Sequence, residues 1–248
     1  MTRPLSSELL KLRTTRTFYA LMGGAVALIV IIAVLAAALG KFKTTGTPGR
    51  DVLSVAGLAP LFALVIGVTG VTSEFRHGTI TPSLLVEPVR TRLMAAKLAA
   101  QLIAGLALGA VCYAACAAIV SVLLSGRGIA TGMSTSHLIG AVIGGAVASM
   151  LYAALGLGVG ALLRNQVGAI VVVLAWVFVI ENLLGIIPGG FGDAIKKYGL
   201  SGVGSSLART ASHASRIGQV PAGLLLLGYA LLLVIAGTII VRQRDVSS

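Results

Sequence analysis

Residues 138–163 read LIGAVIGGAVASMLYAALGLGVGALL, bounded by His137 and Arg164 and free of charged side chains. A helix rises about 1.5 Å per residue, so roughly 20 residues cross a hydrocarbon layer of about 30 Å. In lipid, backbone N–H and C=O groups must be satisfied within the protein. An unbroken apolar run achieves this as a helix, whereas a barrel strand would alternate apolar and polar residues. The same pattern recurs at Phe18–Leu39, Val52–Ser73, Leu98–Leu124, Val167–Ile187 and Pro221–Val241. Six such stretches between short polar breaks predict an all-α integral membrane protein, a single transmembrane domain over residues 1–248.

The chain is 57% hydrophobic and 10% charged, with a mean hydropathy of +1.02. Soluble domains carry about 25% charge, so no soluble domain of ordinary size fits. The formal net charge of +12 is spread over the ends of the apolar runs, where Lys and Arg meet phospholipid head groups. No basic face with interleaved aromatics occurs, and no nucleic-acid partner is expected. Cys112 and Cys116 lie four apart in the third run, a spacing that suits two small buried residues better than a disulfide. His77, His137 and His213 belong to different segments, and no metal site is expected. The first apolar run follows a basic flank, Arg3 to Arg16. At about twenty-two residues it exceeds the roughly 7–15 of a signal-peptide core, and it reads as an uncleaved first span.

Glycines four apart (Gly105/Gly109, Gly140/Gly144, Gly156/Gly160) form small faces that let helices approach closely. Catalytic signatures are missing. The chain has no G-x-x-x-x-G-K-[ST] with which to bind ATP itself, no H-E-x-x-H and no G-x-S-x-G. No enzymatic role is expected, and an intramembrane protease or acyltransferase has no specific motif in its favour.

Six spans put both termini on one side. With that side cytoplasmic, eleven basic residues lie inside (Arg3, Lys11, Arg13, Arg16, Arg76, Arg90, Arg92, Lys97, Arg164, Arg242, Arg244) and eight outside. This bias favours N-in, C-in.

Three polar segments remain. Within residues 1–17, Leu5, Leu9 and Leu12 share one helical face while Glu8, Lys11 and Thr15 take another, the pattern of an interfacial helix. Residues 74–97 contain Glu74-Phe75-Arg76-His77-Gly78-Thr79-Ile80-Thr81-Pro82-Ser83-Leu84-Leu85-Val86-Glu87-Pro88. Gly78 permits a sharp break after the second span. Thr81 and Pro82 suit the cap and first turn of a short helix that Pro88 stops, and Thr91 can cap the helix that enters the third span. Leu84, Leu85 and Val86 offer too little apolar surface to fold alone and need something to dock against, either a partner or the chain's own spans. In residues 188–220 neither the Pro188-Gly189-Gly190 half nor the mildly apolar Tyr198–Gly204 half is long enough to span. The segment reads as re-entrant or interfacial pieces, with a mobile loop as the alternative, on the extracytoplasmic side. In the fifth span Glu181 follows Trp176-Val177-Phe178-Val179-Ile180. It can line a substrate path, pair with a basic residue, or sit near head groups at a helix end.

Several of these stretches resemble the membrane subunits of bacterial type-2 ABC exporters. They are the opening Ser7-Glu8-Leu9-Leu10-Lys11-Leu12-Arg13, the run Ser73-Glu74-Phe75-Arg76-His77-Gly78-Thr79-Ile80, Ala96-Lys97-Leu98, Ile180-Glu181-Asn182-Leu183-Leu184, and Tyr198–Ser206. Asn182 stands where that family often has Pro. The resemblance implies six spans, an interfacial N-terminal elbow, a coupling helix between spans two and three, and re-entrant helices before span six. It implies a bacterial plasma-membrane location and a homodimer or a heterodimer with a related membrane subunit. It also implies a separate ABC ATPase subunit that carries the ATP and Mg, no cofactor being bound by this chain. The expected ATPase-coupling residues are Glu74, Arg76, Gly78, Thr79, Thr81, Pro82, Leu84, Leu85, Val86 and Pro88. Glu181 and Trp176 are the expected path residues. An apolar, Gly-rich interior suits an amphiphilic cargo such as a drug, antibiotic or lipid-like molecule. The competing classes are an ATPase-independent secondary transporter, which would need several intramembrane ionisable residues, and a membrane scaffold.

Overall fold

The computed structural model describes residues 2–40, 47–76, 78, 90–211 and 217–243. Among these, every regular element is helical. α1 (Thr2–Thr14) precedes six spans and two short helices. The spans are α2 (Arg16–Leu39), α3 (Pro48–Arg76), α4 (Thr91–Leu124), α5 (Thr135–Leu163), α6 (Gln166–Gly185) and α9 (Gln219–Val241). Between α6 and α9 lie α7 (Gly190–Tyr198) and α8 (Leu200–Leu207). All six expected spans are present, with ends that differ from the apolar runs by a few residues.

The stretch 138–163 forms the centre of the bundle. Of the apolar window of α5, 61% is buried, against 22% for α2, α6 and α9 alike. Its glycines explain how neighbouring helices reach it. A Cβ on Gly156 would stand 2.0 Å from the Leu64 carbonyl of α3, and one on Gly67 would stand 2.0 Å from the Ala153 carbonyl of α5. The α3–α5 seam therefore packs backbone to backbone, which only small residues allow. Gly105 and Gly109 of α4 meet Ser149 in the same way. Cys112 and Cys116 are free and buried in the α4 core with Ile29, Leu53 and Val120.

Local chemistry sets the element ends. Ser134 Oγ accepts the His137 N–H at the start of α5, and Asn165 Oδ1 accepts the Gly168 N–H at 3.0 Å at the start of α6, both N-caps. Between α5 and α6 only Arg164 and Asn165 are non-helical, and Arg164 closes the turn at φ 52. That conformation is costly for a side-chain-bearing residue. Arg164 is held there by donating 3.0 Å to the Ile240 carbonyl of α9, with its guanidinium 5.3 Å above the Phe75 ring of α3. In α3 the helix tightens to a 3₁₀ turn over Val55–Leu58 just before Pro60, whose ring and missing N–H disfavour an α-helical preceding turn.

These contacts bring α1, the ends of α3, α5 and α9, and the start of α4 to one end of the bundle. α7 and α8 lie at the opposite end.

Candidate functional site: a buried ion ring beside residues 74–97

The helix expected to end near Ser73 continues to Arg76, and Gly78 then adopts φ 65, the left-handed conformation suited to glycine. On the far side the helix is already formed at Arg90. Thr91 is thus a first-turn residue rather than the cap, a difference within the usual spread of helix ends. His77, Thr79, Thr81, Pro82, Leu84, Leu85, Val86 and Pro88 lie outside the described residues, as does the Leu5 side chain.

What flanks this segment is well defined. Glu74 on the last turns of α3 and Lys97 near the start of α4 are paired at 2.5 Å, and Lys97 also reaches Glu8 of α1 at 3.1 Å. Lys11 of α1 completes the arrangement, 2.8 Å from Glu8 and 2.9 Å from Glu74. Each ammonium group meets both carboxylates, so the four side chains close a formally neutral ring. Lys97 is 3% exposed and the two carboxylates 9%. Ions in so dry a place are tolerable only when paired and hydrogen-bonded. Burial opposes the charged form of Lys11, but its hydrogen bonds to Glu8 and Glu74 outweigh this and raise its pKa above the ordinary lysine value. One helical turn further in, Gln101 lies across Gly70, where a Cβ would stand 2.0 Å from its amide nitrogen.

One residue of α1 departs from the expected faces. Lys11 and Thr15 are exposed and Leu12 packs against the core, as the spacing suggests, but Glu8 of the polar face is turned into the bundle. Amphipathic spacing separates two faces, but it does not say which one meets protein when the protein itself offers Glu74 and Lys97. Glu74 stands out in the sequence as an expected coupling residue, and Lys97 only within Ala96-Lys97-Leu98; nothing there pairs the two. The available signal was a lysine following the apolar Met94-Ala95-Ala96, where an unpaired charge would be costly.

At the opposite end, Glu181 is buried and accepts from the Ser201 hydroxyl at 2.6 Å and from the Ser201 N–H at 3.2 Å. It thereby covers the start of α8, where N–H groups have no helical partner and a negative charge is favoured. Gly199 makes the approach possible, since a Cβ there would stand 2.0 Å from Glu181 Oε1. Just before Glu181, α6 widens to a π-helical turn over Trp176–Ile180, and the Asn182 amide donates to the Val177 and Phe178 carbonyls at 3.1 Å. Asn182 thus returns donors to the loosened turn, and the helix runs on to Gly185.

Beside this junction, α3, α4, α5, α6 and α8 border a half-open pocket of about 200 Å³ lined by Pro60, Tyr113, Tyr152, Phe178, Asn182 and Ser201, among others. Tyr152 donates 2.6 Å to the Leu200 carbonyl. Glu181 and Trp176 do not line this pocket, and Trp176 is 46% exposed on the outside of α6.

Residues 5–182 match the family described as ABC-2 family transporter protein. The match spans most of the chain, including α2 to α5 and nearly all of α6, and the protein belongs to that family. Its six apolar helices and its family make it a multi-pass membrane protein, and the family gives it the role of a transporter permease. No curated protein matches the chain.

Proposed function

We propose that this chain is the transmembrane subunit of an ATP-driven exporter that couples to a separate ABC ATPase through residues 74–97. The observation that carries the reading is the ion ring at the roots of this segment: Glu74 and Lys97 fix the ends of α3 and α4 on either side of it. The chain also lacks a phosphate-binding loop of its own, so ATP and Mg belong to the partner. In this reading Gly78, Thr79, Thr81, Pro82, Leu84, Leu85, Val86 and Pro88 form the docking element, with Glu74 and Arg76 at its base. Two membrane subunits, identical or related, complete the transporter through the exposed apolar faces of spans such as α2 and α6. The pocket beside Tyr113, Tyr152 and Asn182 suits part of an amphiphile, apolar with a few hydrogen-bonding groups. Glu181 then acts by holding α8 over the path, and Trp176 faces lipid or the second subunit.

Docking would remove Leu84, Leu85 and Val86 from water, worth about 1.5–3 kcal/mol for each fully buried one. Leu85→Asp is expected to abolish ATPase co-purification and transport while the chain stays in the membrane. Retention of both in this variant would overturn the docking reading. Orientation follows the basic flanks, with both termini cytoplasmic and the residue 188–220 segment extracytoplasmic in a bacterial plasma membrane. A reporter fused after Ser248 should read cytoplasmic, and a periplasmic signal would reverse the assignment.

A further inference from the structure

α1 joins α2 through the single non-helical residue Thr15, so a displacement of α1 is passed to the start of the first span. The ion ring ties this same helix to two others. α3 and α4 cannot separate at their ends without breaking Glu74–Lys97. α1 cannot lift away without breaking Lys97–Glu8 and Lys11–Glu74. Every group in the ring has two partners of opposite charge, and Lys97, Glu8 and Glu74 are nine-tenths or more buried. Lifting α1 away leaves Glu8–Lys11 and Glu74–Lys97 paired, with Lys11 already half exposed. It nevertheless takes from the buried Lys97, Glu8 and Glu74 one of their two partners each, which favours the joined state.

We infer that Glu8, Lys11, Glu74 and Lys97 are positioning residues for transport: they make α1 and the adjoining ends of α3 and α4 move as one body. A push applied between residues 76 and 90 then reaches α2 through α1, although α2 has no direct link to that segment in the chain. α1 is in this view a transmitting element rather than only a membrane anchor. The inference rests on the reading that an ATPase docks at residues 74–97.

The test uses the full chain co-expressed with its ATPase, with Cys112 and Cys116 replaced by Ala. An environment-sensitive fluorophore is placed on Leu10→Cys, an exposed position of α1. ATP with vanadate traps the closed ATPase. In the otherwise unaltered chain, trapping should shift the fluorophore's emission. Glu8→Lys sets like charges against Lys11 and Lys97 and should abolish the shift while the ATPase remains bound. Exchanging all four charges (Glu8→Lys, Lys11→Glu, Glu74→Lys, Lys97→Glu) keeps every opposite-sign contact and should restore it, a rescue that loss of folding would not give. If Glu8→Lys fails to accumulate, Glu8→Gln is scored in its place. An undiminished shift in the Glu8 variant, or no shift in the parent complex, overturns the inference and leaves docking intact. Absence of any bound ATPase in the parent overturns the docking reading and the inference with it.

Discussion

The two ends of the bundle are held together by different chemistry. At the α1 end, four side chains of opposite charge bond to one another and unite α1, α3 and α4. At the opposite end, polar side chains mostly bond to backbone at helix termini. Arg127 donates to the Ala37 and Gly40 carbonyls, completing the C-terminus of α2. Gln219 donates to the Gly140 and Leu207 carbonyls at 3.0 and 2.9 Å, and Arg209, at φ 57, donates to Gln219 at 2.8 Å. Tyr152 and Tyr229 donate to the carbonyls of Leu200 and Tyr198. Side chain-to-backbone bonds satisfy each helix end where it lies and can be lost one at a time. In the ring each charge shares two partners, and three of the four side chains are buried while Lys11 is half exposed, so losing one contact weakens its neighbours. The α1 end is therefore built for joint movement, and the other end for local order around α7 and α8.

The largest effect should come from breaking the ring at its most buried member. Lys97→Met leaves Glu8 and Glu74 with one cation between them and should cost about 3–5 kcal/mol. It would be read as a lowered unfolding midpoint of the detergent-solubilised chain. A midpoint equal to that of the parent would mean that the ring carries no stability.

A smaller and more local loss is expected at the other end. Glu181→Ala leaves the Ser201 N–H and hydroxyl without their acceptor, at about 1–3 kcal/mol. Hydrogen exchange should rise in α8 and leave the start of α4 unchanged. Glu181→Gln keeps an acceptor oxygen and should lose less. Exchange rising equally at both ends would erase the contrast between them.

The smallest effect concerns pH. Lys11 has its pKa raised in the folded state, so its stabilising contribution is complete below the ordinary lysine pKa near 10.5. It is lost as pH rises through the higher folded value. Between about pH 6 and 9 the attachment of α1 should not respond to Lys11 at all. Above about pH 10.5 the environment of a label at Leu10→Cys should begin to change, and Lys11→Met should remove that alkaline step. A step that persists in Lys11→Met belongs to another group.

Much of the architecture is legible in the amino-acid sequence. The length of the apolar runs dictates spanning helices, and the glycine spacing marks close-packing faces without naming their partners. Gly105/Gly109 meet α5 and Gly156/Gly160 meet α3, whereas Gly140 and Gly144 meet Arg209, Leu207 and Gln219. Residues 188–220 are expected to hold short structured pieces, and α7 and α8 occur there. The direction in which Glu8 points is not legible, because helical periodicity assigns residues to faces without naming their neighbours. Nor is the role of Glu181. A carboxylate near a helix end fits a path, an ion pair or a head group equally well, and its actual partner, Ser201, lies twenty residues away, beyond α7.

Six membrane crossings follow from the chain alone, because an apolar run in lipid has no solution but the helix. The absence of a phosphate-binding loop motif is likewise read from the chain alone, since that motif is local. Which charges meet is a matter of tertiary packing. Glu8, Glu74 and Lys97 belong to three elements separated by up to 89 positions, and nothing local to any one of them specifies the others. They are brought together because the tight turns and glycine seams set helix positions. The cost of burying a lone charge then leaves pairing as the stable outcome.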